Sequence, residues 1–235
     1  MYYFYQKNLK LNLIRILIVV VAVLTFSSCI ELIEDTKINS DGSGTYKVTL
    51  NLSSSTTRVN AIMALDSIDG KKVPSKTQLK EKFKEYLQEL SIQQGITNVE
   101  GDLNTTNWIV NLSCDFASLN HLKNSLVSLG ASINKNQTSK NIENIRLTYN
   151  DHVYTRFFGS FITNRMKNDL QKDKDYGRLS EGKFVFIQRF EKPVQKVSSS
   201  QAIIAKNNKA VMLKLNPQEI IKNPELLNYK IFTNP

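Results

Sequence analysis

The sequence predicts an α+β fold, made mainly of antiparallel β-hairpins that form a sheet with two to three packed helices. Three hairpin patterns, with alternating apolar and polar residues around a turn, occupy about residues 30–52, 96–115 and 200–215. Amphipathic helical patterns follow the first and the second hairpin. Strands interspersed with helices, without a regular strand–helix–strand alternation, are typical of antiparallel α+β domains.

The first hairpin begins at Ile30, where the segment IELIEDTKI has the composition of a strand. The turn sequence NSDGSG follows, and Gly42 and Gly44 supply the positive φ angles that hairpin loops require. Apolar and polar residues then alternate with a period of two up to Leu52, as in a half-buried strand. The oxygen-bearing side chains of the turn suggest a calcium loop, but the bidentate glutamate of such a loop is missing, which favours a plain turn.

The strongest helix pattern is KTQLKEKFKEYLQEL, residues 76–90, because its apolar residues fall on one face and its charged residues lie away from it. Gly95 ends this region, and strands at about 96–101 and 106–115 form the second hairpin. The other predicted elements are a short helical segment at about 60–65, a second helix at 118–129, an exposed loop at 131–142, strands at 143–149, 152–157, 183–191 and 227–232, and a helical turn that starts at Asn216.

Aromatic and basic residues cluster in the segment from about 154 to 182. Phe157, Phe158, Phe161, Ile162 and Met166 follow one another at roughly helical spacing, with Arg156, Arg165 and Lys167 beside them. The preferred interpretation is a short helix that closes one end of the core. The alternative is a lobe that contacts lipid or a protein partner, since aromatic and basic residues together suit a membrane interface. The five apolar residues are therefore the candidate contact site.

The first 28 residues have the features of an export signal. Lys7, Lys10 and Arg15 form a positive region, no acidic residue occurs before Glu31, and residues 16–24 are an unbroken apolar run. A permanent transmembrane helix takes about 20 apolar residues. A run of about 7 to 15, followed by small residues, is a signal-peptide core. An uncleaved membrane anchor is the alternative.

The residues that end this run, Phe26, Ser27, Ser28 and Cys29, resemble the lipobox of bacterial lipoproteins. The resemblance implies that cleavage falls between Ser28 and Cys29, that the Cys29 thiol carries a diacylglycerol, and that the new amine is acylated. One acyl chain gives only reversible membrane attachment, whereas two make it lasting. The alternative is a signal peptide cut elsewhere, which leaves Cys29 as an ordinary thiol.

The two cysteines of the chain fit this interpretation. An exported protein normally uses a pair of cysteines as a disulfide, but an acylated Cys29 cannot pair. Cys114 lies in WIVNLSCDF, on the apolar side of an alternating strand pattern, where a free cysteine packs as a small hydrophobic residue. Residues 29–235 are predicted to form a single mature α+β envelope domain.

Composition and motifs argue against several functions. The net charge of +10 falls to +7 without the three basic residues of the leader, and no basic cluster or recognition motif for nucleic acid is present. His121 and His152 are isolated, so neither a metal site nor a cofactor is predicted. No nucleophile elbow, zinc-protease motif, P-loop or dinucleotide fingerprint occurs. A hydrolase that uses paired carboxylates leaves no local signature and is the alternative function.

The start of the predicted mature chain resembles a group of exported lipoproteins. A cysteine-led strand, the turn string SDGSGT at residues 40–45 and an alternating second strand are similar to the LppM-like family over residues 29–52. The resemblance implies an α+β envelope domain for which lipid or glycolipid binding has been proposed. It assigns no binding residue in this chain.

These observations predict a lipid-anchored envelope lipoprotein, a non-enzymatic binding or scaffold module that holds a lipid or a protein partner close to the membrane. The first strand starts one residue after Cys29, so the domain should lie close to the bilayer. In the lipoproteins that this leader resembles, an aspartate after the cysteine retains the protein at the inner membrane. Ile30 and Glu31 stand there instead, which favours the outer membrane, facing the periplasm.

Overall fold

The computed structural model describes residues 30–68, 70–133, 143–174 and 176–235. The predicted leader, including Ser28, and the predicted acylation site Cys29 lie outside the described residues. Residues 134–142 of the loop predicted at 131–142 also lie outside the described residues. Residues 131–133 belong to a helix and not to the predicted loop.

Thirteen strands and five α-helices occur in the described residues. The strands are β1 (Glu31–Ile38), β2 (Gly44–Asn51), β3 (Ser67–Ile68), β4 (Lys71–Lys72), β5 (Ile96–Asn104), β6 (Ile109–Phe116), β7 (Arg146–Asn150), β8 (Val153–Phe157), β9 (Lys183–Phe190), β10 (Val194–Val197), β11 (Ala202–Ile204), β12 (Ala210–Leu215) and β13 (Asn228–Thr233). The helices are α1 (Thr56–Met63), α2 (Lys76–Ser91), α3 (Leu119–Ile133), α4 (Asn164–Lys172) and α5 (Pro217–Lys222). Short 3₁₀ turns occupy Ser53–Ser55, Gly159–Phe161, Tyr176–Glu181 and Pro224–Leu227.

Seven strands form the larger sheet, in the order β11–β12–β9–β1–β2–β6–β5. The three predicted hairpins, β1–β2, β5–β6 and β11–β12, are confirmed. Neighbouring strands are antiparallel except β1 and β9, which run parallel from the Glu31–Lys183 pair to the Ile38–Phe190 pair. This parallel pair joins the first strand to a strand far along the chain and places β1 in the middle of the sheet.

A smaller sheet, in the order β10–β13–β8–β7, packs against the larger one. The ring centroid of Tyr154 on β8 lies 5.8 Å from that of Phe190 on β9, and Tyr154 is fully buried. Strands β7, β8 and β13 match strands predicted from the sequence, whereas the four-residue strand β10 is not predicted. The α+β class with mainly antiparallel strands is confirmed, and the strands divide between two facing sheets and a short β3–β4 ribbon.

Helix α2 confirms the strongest helix prediction. Its first turn is closed by a capping box: the Ser75 hydroxyl accepts a hydrogen bond from the Gln78 N–H at 3.1 Å, and the Gln78 side chain accepts one from the Ser75 N–H at 2.8 Å. Leu90 is buried, and the side chains of Phe83 and Leu87 lie against Gly101 on β5. The predicted apolar face of α2 therefore packs on the larger sheet.

Cys114 lies on β6 as a free, fully buried thiol, which confirms its predicted place on the apolar face of a strand. Burial, with a smaller contribution from the neighbouring Asp115, raises the pKa of the Cys114 thiol to about 11. Because the thiolate is the reactive form, little of it exists at physiological pH. Burial also keeps reagents away from the sulfur.

We therefore expect Cys114 of the native full chain to resist a thiol reagent such as DTNB at about pH 8 and to react fully once urea unfolds the protein. The absorbance of the released thiolate measures both reactions. An acylated Cys29 adds no thiol, so one thiol per chain should appear in urea. Rapid reaction of the native protein would contradict the buried position of Cys114, and two thiols in urea would contradict acylation of Cys29.

Candidate ligand cavity

The candidate contact residues lie in the segment that links β8 to α4. The roughly helical spacing of these residues does not correspond to one helix: Phe157 ends β8, residues 158–162 pass through a 3₁₀ turn, and α4 follows. Thr163 is the N-cap of α4, and its hydroxyl accepts a hydrogen bond from the N–H of Met166 at 3.1 Å. A threonine cap favours a new helix start at this point, which interrupts the apolar spacing.

Four of the five predicted residues, Phe158, Phe161, Ile162 and Met166, line one cavity of about 370 Å³. We call it the apolar cavity. Its other walls come from β1, β2 and β9 of the larger sheet, from Arg156 on β8, and from α3, α5 and the turn before β13. The volume falls in the range of about 300 to 1,000 Å³ that is common for small-molecule sites.

Two local features hold the aromatic residues at the wall of the apolar cavity. The ring of Phe161 packs against Gly130 on α3, where a methyl group would come within 2.7 Å of the ring. The N–H of Gly159 donates a hydrogen bond to the Asn228 side chain at 2.8 Å, which fixes the turn against the start of β13. The small residues at these two positions allow the turn to approach both neighbours closely.

Phe157 does not line the apolar cavity. Successive residues of a strand point to opposite faces, so Phe157 lies on the face of β8 opposite to Arg156. There it borders a separate, mostly polar depression with Asn144, Arg146 and Ser160. The structure thus brings four of the predicted residues together and separates the fifth.

A buried ion pair forms the polar side of the apolar cavity. Arg156 donates two hydrogen bonds to Glu34 on β1, from Nη1 to Oε1 at 2.6 Å and from Nη2 to Oε2 at 3.2 Å. The side chains are only 5 % and 9 % exposed. The two residues belong to different sheets, so the pair joins the sheets across the core. The sequence does not point to Glu34, and Arg156, expected only beside the apolar cluster, is instead the buried partner of Glu34.

Aromatic rings enclose the guanidinium of Arg156. Its central carbon lies 4.5 Å from the ring centroid of Phe158 and 4.7 Å from that of Phe186, on β9. Burial acts to lower the pKa of Arg156, but the adjacent Glu34 carboxylate and nearby tyrosines raise it above its ordinary value. Arg156 is therefore a fixed positive charge, held in place by stacking and by two hydrogen bonds.

Further polar groups lie buried next to this pair. Within the described part of the chain, no hydrogen bond of good geometry is made by the hydroxyls of Tyr154 and Tyr229, the side-chain amide of Gln188 or Nε of Arg156. A buried polar group without a partner costs about 1 to 3 kcal/mol. Of these residues, Arg156 lines the apolar cavity, and Tyr154, Tyr229 and Gln188 do not.

The other two basic residues of the segment make contacts on the protein itself. Arg165 lies 3.8 Å from Asp169 one turn further along α4, with both side chains exposed. Lys167 donates a hydrogen bond to the backbone carbonyl of Lys222 at 3.0 Å, at the last residue of α5. A positive charge at a helix C-terminus is favourable, and this contact ties α4 to α5.

The apolar cavity lies near the start of the described chain. The carbonyl of Ile30 accepts a hydrogen bond from the Lys183 N–H at 2.8 Å, which places the first described residue at the beginning of both β1 and β9. Leu32 and Phe184, one register pair further along, line the cavity. Leu32 is three residues after Cys29, a distance of about 10 Å in an extended chain.

A second depression of about 370 Å³ lies where β2, β5 and β6 run side by side. Its lining is mostly polar and includes two carboxylates, Glu100 and Asp102, both exposed to solvent. The apolar cavity is the stronger candidate site because it combines apolar walls with buried charged groups. The carboxylate-based hydrolase receives no specific support from the polar depression.

The described residues lack the features of a metal site and of a membrane-spanning helix. These residues contain no group of three or more histidine, cysteine, aspartate or glutamate side chains placed to hold a metal ion. None of the helices in the same ranges combines the length and the apolar character that a membrane crossing requires.

No family model matches the chain, and no curated protein matches it significantly. Among solved structures, the chain is similar to the folded domain of LppM from Mycobacterium tuberculosis, determined by NMR. The TM-score is 0.41 at 10 % sequence identity, over 89 % of this chain and 93 % of that domain. This solved domain belongs to the group that the first hairpin resembled.

Proposed function

We propose that this chain is a lipid-anchored envelope lipoprotein that binds an amphiphilic lipid in the apolar cavity and carries out no catalysis. The supporting observation is the cavity itself: aromatic and aliphatic side chains form most of its wall, and the Glu34–Arg156 pair forms its polar side. Its position near Ile30 adds to this, because the predicted anchor is attached at the next residue towards the N-terminus.

The lining indicates the chemical class of the ligand. The transfer of one methylene group from water to the apolar part of the cavity is favourable by about 0.8 kcal/mol of free energy. An acyl chain therefore suits this part of the cavity. The ion pair is neutral as a whole, and both of its members line the cavity, so an uncharged polar group such as an ester or a hydroxyl suits the polar side better than a group of high charge. The ligand is therefore a lipid with an uncharged polar group next to its chain.

The proposed location follows from the leader. Lipobox processing anchors Cys29 in a bacterial membrane, and the residues after it favour the outer membrane, with the domain in the periplasm. A protein partner in place of a lipid is the second form of this proposal. It requires an exposed surface rather than the cavity.

We expect the Met166→Trp substitution to remove the bound lipid, because Met166 lines the apolar cavity and the larger ring fills part of its volume. The full chain is extracted in mild detergent, and native mass spectrometry measures the co-purifying lipid. The native protein should retain about one lipid per chain, apart from the covalent acyl groups, and the variant should retain almost none.

Leu170→Trp is the matched control, because Leu170 lies one turn further along the same helix, is 38 % exposed and does not line the apolar cavity. This variant should keep the lipid. Circular dichroism verifies that both variants are folded. If the native protein carries no lipid under these conditions, or if both variants lose it equally, the cavity is not the binding site.

A further inference from the structure

The segment between β2 and α2 forms a lobe with unusual exposure of apolar side chains. This lobe, residues 53–75, consists of a 3₁₀ turn, α1 and the β3–β4 ribbon. Helix α1 has no buried residue among its eight. Ile62, Leu65 and Ile68 are 36 %, 50 % and 37 % exposed, and they are three of the seven large hydrophobic residues that are exposed in the described chain. Within the described residues, these three side chains are covered only in part.

Hydrogen bonds fix the lobe to one end of the larger sheet. The N–H of Leu52 donates to the carbonyl of Trp108 at 2.9 Å, and Nε1 of Trp108 donates to the side-chain oxygen of Asn60 on α1 at 2.9 Å. The ammonium of Lys76 lies 5.3 Å from the centroid of the Trp108 ring. Trp108 itself is buried in the turn between β5 and β6. The lobe is therefore attached to this turn.

The strand register identifies which end of the sheet this is. Asn51, the last residue of β2, pairs with Glu31 on one side and with Ile109 on the other. Glu31 is the first residue of β1 and follows Ile30 directly. The start of the described chain and the 53–75 lobe thus lie at the same end of the sheet, and Ile96 and Phe116 mark the opposite end.

We infer that Ile62, Leu65 and Ile68 of the 53–75 lobe insert into the surface of the lipid bilayer beside the anchor. This inference rests on the proposed acylation of Cys29. One residue spans about 3.8 Å, so a membrane that holds acyl chains at Cys29 lies next to Ile30 and next to the lobe. Apolar side chains that face water gain free energy when they enter the interfacial region.

Two lysines next to the exposed apolar residues favour this partner. Lys72 in the lobe and Lys76 at the start of α2 are exposed, as is one carboxylate, Asp66, and anionic headgroups attract the two lysines. A bilayer also explains why no residue of α1 is buried within the domain. The anchor and the lobe together are two attachment points, so they fix the orientation of the domain, which a single flexible tether does not.

The test places a fluorescent label at each end of the sheet. The full acylated chain carries Leu65→Cys or Ile92→Cys, each labelled with the fluorophore NBD through the new thiol. Ile92 is 82 % exposed and precedes Ile96, at the end of the sheet away from Ile30. The parent chain is the blank, because Cys114 is buried and an acylated Cys29 has no thiol. The labelled proteins are reconstituted into vesicles of phosphatidylethanolamine and phosphatidylglycerol that contain spin-labelled lipid.

We expect spin-labelled lipid to quench the label at position 65 at least about threefold more strongly than the label at position 92. Equal quenching at the two positions would overturn the inference. A second result would also overturn it: in detergent, without vesicles, the label at position 65 becomes more shielded as the protein concentration rises. A second copy of the chain would then cover the lobe in place of the bilayer. Labelling of the parent chain, with no acyl mass in the intact protein, would show that the anchor itself is absent, which is a separate failure.

Discussion

Replacing Arg156 with methionine should lower the free energy of unfolding by about 3 to 5 kcal/mol, because it leaves the Glu34 carboxylate buried without its partner. Arg156 and Glu34 join the two sheets, and Arg156 also stacks between Phe158 and Phe186. Urea denaturation of the full chain, followed through the fluorescence of Trp108, measures the effect. Trp108 is the single tryptophan and is buried, so its emission reports unfolding.

Two further variants separate the ion pair from other effects of the substitution. Arg189→Met removes a similar arginine–carboxylate contact, in which Arg189 on β9 lies 2.8 Å from Asp35 on the neighbouring strand β1, but the Arg189 side chain is 51 % exposed. Solvent screens such a pair, so the loss should be much smaller. The double variant Glu34→Leu/Arg156→Met should recover most of the stability, because no unpaired charge remains buried. Equal losses in Arg156→Met and Arg189→Met would contradict the importance of burial.

Replacing Cys29 with alanine should release the protein from the membrane. The proposed anchor holds at least two acyl chains on Cys29, and two chains make membrane attachment lasting. A protein without acyl chains keeps only a weak contact with the membrane surface. Fractionation of cells and intact mass measurement of the purified protein test this. The native protein should begin at Cys29, carry the mass of the acyl groups and sediment with the membranes.

The Cys29→Ala protein should lack the acyl mass and lose nearly all of its membrane attachment. Cys114→Ala is the matched control, since Cys114 is buried in the core and should not affect acylation. A native protein that begins at another residue, or that has no acyl mass, would refute the lipobox interpretation. Retention of the Cys29→Ala protein in the membrane after a carbonate wash would instead indicate an uncleaved leader.

Local patterns in the sequence were sufficient for most of the secondary structure. The period of two after Gly44 predicted β2, and the apolar face of residues 76–90 predicted α2, because each pattern depends only on neighbours in the chain. The parallel pairing of β1 with β9 has no such signal. Alternation shows which face of a strand is buried, but it does not identify the strand that lies beside it.

The sequence predicts only part of the candidate site, because only some residues of the site are neighbours in the chain. Apolar density between residues 157 and 166 indicated four residues of the apolar cavity, while the strand periodicity of β8 that separates Phe157 from them was overlooked. The Glu34–Arg156 pair was missed because its members are 122 positions apart. A signal for it exists: β1 and β8 each carry a charged residue on the face that is predicted to be buried, and the two charges are opposite, which suggests a partner in the core.

The central position of β1 has a consequence for the order in which the molecule folds. One edge of β1 pairs with β2, which is made immediately after it, but the other edge pairs with β9, about 150 residues later. Until β9 has been made, β1 keeps an open edge, and open edges invite pairing with other chains. Contacts between distant segments form slowly. We therefore expect newly made chains to pass through a slow, aggregation-prone stage before the sheet is completed.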